Sequence, residues 1–238
     1  MITRCGRAAL VMLLLWTAVP GSAVFGQTTS PGAGHPAALR FQQTIDEYLK
    51  ADSIQMPPKH AILFIGSSIF RMWSDLTRQM APLPVFNRAF GGSRTDDVLY
   101  YMDKLVFPYE PRIIVYYCGS NDINAGEHAR AIFGRFRTFA GRVKEKLPST
   151  SIFFVSINRA PQKRDRWAVV DSANALVRQF CASNPSLEYI DVNPVLFDST
   201  NTPRYDLYQS DRLHFLPKAY EAFTSVIKPI LEKAWGKK

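Results

Sequence analysis

The sequence predicts a three-layer α/β/α sandwich built on a five-stranded parallel sheet, and two observations carry that expectation. Five short apolar runs, 61–65, 85–89, 113–118, 152–157 and 187–192, are rich in Val, Ile, Phe or Tyr. They are mostly continuous rather than alternating, as strands covered on both faces must be. Longer segments of helical period separate them, and strand–helix alternation calls for right-handed crossovers and a parallel sheet. In such folds a ligand site forms at the carboxyl ends of the strands.

Taken in order, residues 1–26 place Arg4 and Arg7 ahead of an apolar run over 8–19, the layout of a secretory signal peptide. A membrane anchor is the alternative, but the run falls short of the roughly 20 apolar residues that span a bilayer. Small residues at Gly21, Ser22, Ala23 and Gly26 offer cleavage sites. Residues 27–35, QTTSPGAGH, read as a flexible lead-in, and the folded domain is expected over 36–238. Its first helix is placed at 36–50, where Leu39, Ile45, Tyr48 and Leu49 recur near helical spacing before Pro57-Pro58 forbids continuation. The clearest later helix is 127–147. There Ile132, Phe136, Phe139, Val143 and Leu147 form one stripe, and Arg130, Arg135, Arg142 and Lys144 the opposite face. No internal repeat or second composition regime marks another domain.

A mature chain of this length buries a core without disulfides or metals. Of three cysteines, Cys5 leaves with the leader; Cys118 and Cys181 either pair in an oxidising compartment or sit buried as small apolar residues. The chain carries a net charge of +9, and loss of Arg4 and Arg7 leaves 27 basic against 20 acidic residues, or +7. That excess favours anionic surfaces or substrates. The basic residues are scattered and no recognition motif accompanies them, so no nucleic-acid partner is expected. Walker and dinucleotide fingerprints are missing too, which argues against a nucleotide-binding protein.

Four segments fall where the strand-end rule puts a site. In ILFIGSSIFRMW, Gly66 allows a tight turn after the first run and Ser68 opens a helix, where its own N–H can face a developing oxyanion. A Ser at that place is also an ordinary N-cap. In FNRAFGGSRTDDVL, Gly91-Gly92 lets backbone approach a substrate closely, or simply turns the chain. In IIVYYCGSNDINAG, Asn121 is a neutral donor at a strand end, while Asp122 caps or braces the loop. In SDRLHFLPKAYEAF, Asp211 and His214 lie three apart, near enough for the carboxylate to orient one imidazole nitrogen and leave the other as a base. His35, His60 and His128 lack such a carboxylate in a post-strand loop.

These four blocks, Gly-x-Ser, Gly-Gly, Gly-x-Asn-Asp and Asp-x-x-His, resemble in order and spacing those of the SGNH or GDSL-like lipase/esterase superfamily, across 62–220. The resemblance implies a flavodoxin-like SGNH hydrolase fold with Ser68 as nucleophile, His214 as general base and Asp211 as its orienting acid. It implies an oxyanion hole made of the Ser68 N–H, the Gly92 N–H and the Asn121 amide, and no metal or organic cofactor. Two positions depart from the common pattern: Ser67 stands where Asp is usual, and Ser93 follows the glycines where Asp or another polar residue is frequent.

The segment 158–167, NRAPQKRDRW, follows the fourth run and is expected to overhang the site. Its Arg159, Arg166 and Trp167, with Lys163 and Arg164 between, suit a sugar or an anionic head group. Equally, it is an exposed basic loop with Trp167 packed inward. Arg71 and Trp73, one helical turn beyond Ser68, face the site or pack. The expected activity is that of a secreted or periplasmic carboxylic ester hydrolase acting on short-chain acyl esters of a small molecule or glycan, without stable membrane insertion. A lysophospholipase-like esterase or thioesterase is the nearest alternative, and a non-catalytic binding domain the other.

Overall fold

The computed structural model describes Met1 and residues 40–236. Contacts divide the chain into 1–32 and 33–238, and the fold below belongs to the second unit. The expected leader over 1–26, the lead-in over 27–35 and the first residues of the helix expected at 36–50 lie outside the described residues.

Helix α1 spans Gln42–Ile54, running past residue 50 to stop just short of Pro57-Pro58. Five parallel strands follow: β1 Ile62–Gly66, β2 Val85–Asn87, β3 Ile113–Tyr117, β4 Ser151–Val155 and β5 Leu187–Ile190. Their order across the sheet is β2-β1-β3-β4-β5. Between them lie α2 Ser68–Arg71 and α3 Leu76–Met80 after β1, α4 Thr95–Tyr100 and α5 Met102–Leu105 after β2, and α6 Ser120–Asn124 and α7 Ala129–Lys146 after β3. Helix α8, Trp167–Ala182, joins β4 to β5, and α9, Pro217–Gly236, closes the chain.

Four strands are shorter than their apolar runs, β3 by its last residue alone, and in β2, β4 and β5 side chains capture the last backbone groups. Asn87 Oδ1 accepts the Ala89 N–H at 2.9 Å, turning the chain out of β2. Asn174 of α8 accepts the Ile157 N–H at 2.9 Å and donates to the Ile157 carbonyl at 2.8 Å, so β4 ends before that residue. Beyond β5, the Val192 N–H goes to Ser156 Oγ at 3.0 Å instead of a neighbouring strand.

The continuous hydrophobicity of the runs has its cause in two cores. Leu63, Ile65, Ile114 and Tyr116 face one side, packed with Phe136, Phe139 and Val143 of α7 and Val170 and Val177 of α8. Ile62, Phe64, Val115 and Tyr117 face the other, packed with Phe70, Trp73, Leu76 and the α9 residues Phe223, Ile227 and Leu231. The buried stripe of α7 is the one its periodicity predicts. Cys118 and Cys181 are free and buried; burial pushes both thiols up, that of Cys181 to about 12. Among the described residues no helix is long and apolar enough to cross a membrane.

Strand order reverses at β1 and β3: the chain steps from β1 outward to β2, then returns to lay β3 on the other flank of β1. Loops leaving β1 and β3 therefore diverge to opposite sides and open a crevice at their carboxyl ends.

Candidate active site

Gly66 ends β1 with φ +138°, and a Cβ there would lie 1.7 Å from the Tyr117 carbonyl oxygen. Only glycine fits where β1 and β3 close together. Ser67 N–H donates to that same carbonyl at 3.0 Å, and the chain turns at once into α2, whose first residue is Ser68. Ser67 is buried and its Oγ meets no partner, so the two adjacent hydroxyls occupy different environments. Ser68 Oγ lies 3.0 Å from His214 Nε2.

His214 is carried by a loop whose ends pair as an antiparallel bridge between Tyr208 and Phe215. Inside it the Gln209 N–H donates to the His214 carbonyl at 2.8 Å and the Arg212 N–H to the Gln209 carbonyl at 2.9 Å. Asp211 Oδ1 accepts the N–H groups of Leu213 and His214, each at 2.9 Å, while Oδ2 lies 2.6 Å from His214 Nδ1. A short carboxylate that binds backbone two and three residues ahead makes its own turn, and this turn aims the imidazole. Partial burial raises the Asp211 carboxyl, but the Leu213 and His214 N–H groups and the imidazole outweigh it and hold it below its ordinary value.

The remaining blocks are tied to β1. Ser93 Oγ donates to the Gly66 carbonyl at 3.0 Å, and the Ser93 carbonyl accepts Asn121 Nδ2 at 2.9 Å. One amide hydrogen of Asn121 is thereby fixed and the other left to point elsewhere. Asp122 is fully buried, accepting the Thr95 N–H at 3.1 Å, Thr95 Oγ1 at 2.5 Å and Arg135 Nη1 at 3.2 Å. Burial raises its carboxyl against those donors. Its place is that of a brace between α4 and α6. Gly92 has φ +78° with open space where a Cβ would stand. Among the described residues neither the Ser68 nor the Gly92 N–H has an acceptor.

The basic segment after β4 lies against the loop that carries His214, because the Gln162 N–H donates to the Arg212 carbonyl at 3.1 Å. Its members part company. Arg166 Nη1 donates to the Ile123 carbonyl at 2.7 Å, two residues beyond Asn121. Arg159 turns away to Asp171 at 2.6 Å, in a groove shared with Tyr189 and Asn193. Trp167 Nε1 donates to the Ala160 carbonyl at 2.9 Å and its ring meets Phe197 edge-on. Lys163 is buried, with 1% exposure, although a basic loop residue is expected outside. Trp73 packs, stacked on Tyr220 and hydrogen bonded to Gln79 at 2.7 Å, whereas Arg71 stays exposed.

A buried polar cluster beneath the loop escapes the sequence analysis. Tyr117 Oη donates to Asn158 Oδ1, and Tyr208, at the start of the loop, is buried on the same sheet face as Tyr117. Asn158 is the first residue of the segment after β4 and is fully buried; nothing local in the sequence sets it apart from an exposed loop amide.

A serine, an imidazole and a carboxylate in line at the carboxyl edge of a parallel sheet, with unspent backbone donors beside them, have the composition of an acyl-transfer site. The chain belongs to the GDSL-like Lipase/Acylhydrolase family, whose model matches residues 64–222. Three solved structures share its fold. A GDSL-like lipase from Bacteroides thetaiotaomicron VPI-5482 is 18% identical, with 80% of this chain and 98% of that one covered and a TM-score of 0.69. A lipase/acylhydrolase from Enterococcus faecalis is 18% identical, covering 73% and 96%, with a TM-score of 0.62. A carbohydrate esterase family 3 protein from Talaromyces cellulolyticus is 15% identical, covering 73% and 97%, with a TM-score of 0.59. No curated protein matches the sequence.

Proposed function

We propose that this protein is an exported serine esterase that hydrolyses short-chain acyl esters, acetyl esters above all, of a polar alcohol such as a carbohydrate, through an acyl-enzyme. The observation that carries the reading is the relay of Ser68 Oγ to His214 Nε2 at 3.0 Å and His214 Nδ1 to Asp211 Oδ2 at 2.6 Å. Export rests on the leader over 1–26.

In this mechanism neutral His214 takes the Ser68 proton as Oγ attacks the ester carbonyl, and Asp211 stabilises the imidazolium that forms. The carbonyl oxygen becomes an oxyanion and is met by the Ser68 and Gly92 N–H groups and the second amide hydrogen of Asn121, donors oriented before reaction. His214 then gives the proton to the departing alcohol. A water, deprotonated in turn by His214, attacks the acyl-enzyme and releases the acid and the Ser68 hydroxyl. Arg71, one turn after Ser68 in the chain, is exposed, and Arg166 is held on the Ile123 carbonyl two residues from Asn121; such polar neighbours suit a hydrophilic alcohol better than a lipid tail.

The test compares p-nitrophenyl acetate with a long-chain p-nitrophenyl ester, using wild type, Ser68→Ala and Ser67→Ala. Acetyl turnover that exceeds long-chain turnover, is abolished in Ser68→Ala and persists in Ser67→Ala supports the reading. Preference for the long chain favours a lipid-directed esterase instead, and ligand binding without turnover in wild type a non-catalytic domain. Full activity in purified Ser68→Ala overturns the assignment of the nucleophile.

A further inference from the structure

Arginines stand at every segment that builds the site. Arg71 closes the short helix begun by Ser68. Arg94 follows Gly92 by two residues, and Arg40 Nη2 donates to the Gly92 carbonyl at 3.3 Å. Arg166 is anchored on Ile123 beside Asn121 at 2.7 Å, and Arg212 lies between Asp211 and His214.

The carboxylates nearby leave much of this charge unbalanced. Arg40 has only buried Asp97, at 3.9 Å; Arg94 has Asp96 at 3.3 Å, and Arg166 has the exposed Asp165 at 3.6 Å. Asp211 is spent on His214 and its own turn, and Asp122 on Thr95 and Arg135. Arg71 and Arg212, both exposed, have no carboxylate in ion-pair range among the described residues. Both stand close to the relay along the chain, Arg71 three residues after Ser68 and Arg212 between Asp211 and His214. Arg71 lies toward α1, close enough to Tyr48 to lower its phenol against the larger effect of burial. Arg212 lies over the Tyr205 ring, its guanidinium carbon 5.5 Å from the centroid.

We propose that the ester this site takes carries a fixed negative charge, a carboxylate or a phosphate, on its alcohol portion, and that the Arg71 and Arg212 guanidiniums receive it. The inference rests on the esterase reading. The acyl group there is short and uncharged, which assigns the charge to the alcohol. A guanidinium presents planar paired donors that match either oxyacid, so both anions share one recognition chemistry. Unpaired cations around a crevice also raise the encounter rate of anions, by about 10- to 1,000-fold at low ionic strength. Salt weakens that gain as the screening length shrinks from about 30 Å at 0.01 M to about 8 Å at physiological strength.

The experiment measures kcat/KM for 4-acetoxybenzoate, 4-acetoxyphenyl phosphate and the neutral methyl 4-acetoxybenzoate, each divided by its rate of hydroxide hydrolysis, at low and high KCl. The anionic esters are expected to exceed the neutral one by at least about tenfold at low salt. The excess should fall severalfold at high salt, and also in Arg71→Gln and Arg212→Gln, while the distant Arg130→Gln keeps it. Whichever anion shows the larger excess identifies the oxyacid. A ratio near one, indifferent to salt and to both substitutions, overturns the inference while leaving the esterase reading intact. If no ester is turned over in a Ser68-dependent way, the esterase reading fails instead. Calorimetric binding of 4-acetoxybenzoate to Ser68→Ala then decides separately, since affinity no greater than for the methyl ester overturns the anion site.

Discussion

Lys163 is the side chain whose burial is least expected from its type, and its replacement by Met has a calculable consequence. It stands on the segment hydrogen bonded to the Asp211–His214 loop, is 1% exposed, and has Gln162 Oε1 as a neutral acceptor at 3.1 Å. Burial lowers its ammonium from 10.5 to about 8; the Asp211 carboxylate opposes that fall and Arg166 adds to it. A fall of that size corresponds to roughly 3 kcal/mol less favour for the charged form in the fold than in the unfolded chain. The folded-state value is the lower one, so the cost is fully present below about 8 and is relieved as pH rises toward 10.5. Lys163→Met keeps the length of the stem and removes the charge. Its stability advantage over wild type should therefore be larger at pH 7 than at pH 10, by about 2–3 kcal/mol. Urea denaturation of both proteins at the two pH values reads the double difference, in which titrations common to both cancel. A difference that does not change with pH refutes the claim that Lys163 is held in the fold at the expense of its charge.

Two further predictions concern the geometry of the relay. Asp211→Asn should lower kcat by about 10³- to 10⁴-fold with a smaller effect on KM, because the imidazole loses both its tautomer and its countercharge. Asp206→Asn should leave turnover near wild type, because Asp206 is spent on Lys218 at 2.6 Å; the reverse pattern in steady-state kinetics would reassign the orienting acid. The Asp211 carboxyl is held below its ordinary value, so it is already ionised where imidazole titrates. The rise of kcat/KM with pH should accordingly carry no second proton from Asp211. A two-proton acid limb in the pH profile would contradict this. Gly66→Ala should cost several kcal/mol, since its Cβ would meet the Tyr117 carbonyl at 1.7 Å. Thermal melts that match wild type would show that the β1–β3 junction yields more easily than its geometry implies.

How much of this was legible in the sequence depends on whether the controlling interaction is local. The five strands were readable because burial on both faces leaves a continuous apolar run, and α7 because one face of a two-core protein must be a stripe. The Asp211–His214 turn is local too, since Asp211 Oδ1 reaches only two and three residues ahead. The ends of β4 and β5 were misjudged because the competing partner comes from far away in the chain, whereas β2 is cut short locally, by Asn87 on the Ala89 N–H. Asn174 takes both backbone groups of Ile157 from 17 residues off, and Ser156 Oγ takes the Val192 N–H from 36. No pattern within either strand announces such a capture. The segment after β4 failed for the same reason: Arg159, Lys163 and Arg166 look alike in the sequence, but Asp171, the core and the Ile123 carbonyl sort them into three environments.

Ser93 shows why the departures from the family pattern do not dismantle the site. A residue after the glycine pair has to hold the Gly92 loop against β1 and present a carbonyl to Asn121, and a hydroxyl performs the first task through the Gly66 carbonyl at 3.0 Å. The second task uses backbone, so the side chain at 93 is free to vary there. Ser67 differs, because its buried Oγ has no partner at all. An unpaired buried hydroxyl costs roughly 1–3 kcal/mol, and a carboxylate buried without a donor would cost more. Among the described residues no donor meets the side chain at position 67, so a small hydroxyl is a less costly occupant than a carboxylate. The proposed nucleophile does not depend on that choice: Ser68 is placed by the Gly66 turn and by the Ser67 N–H on the Tyr117 carbonyl, both of them backbone features.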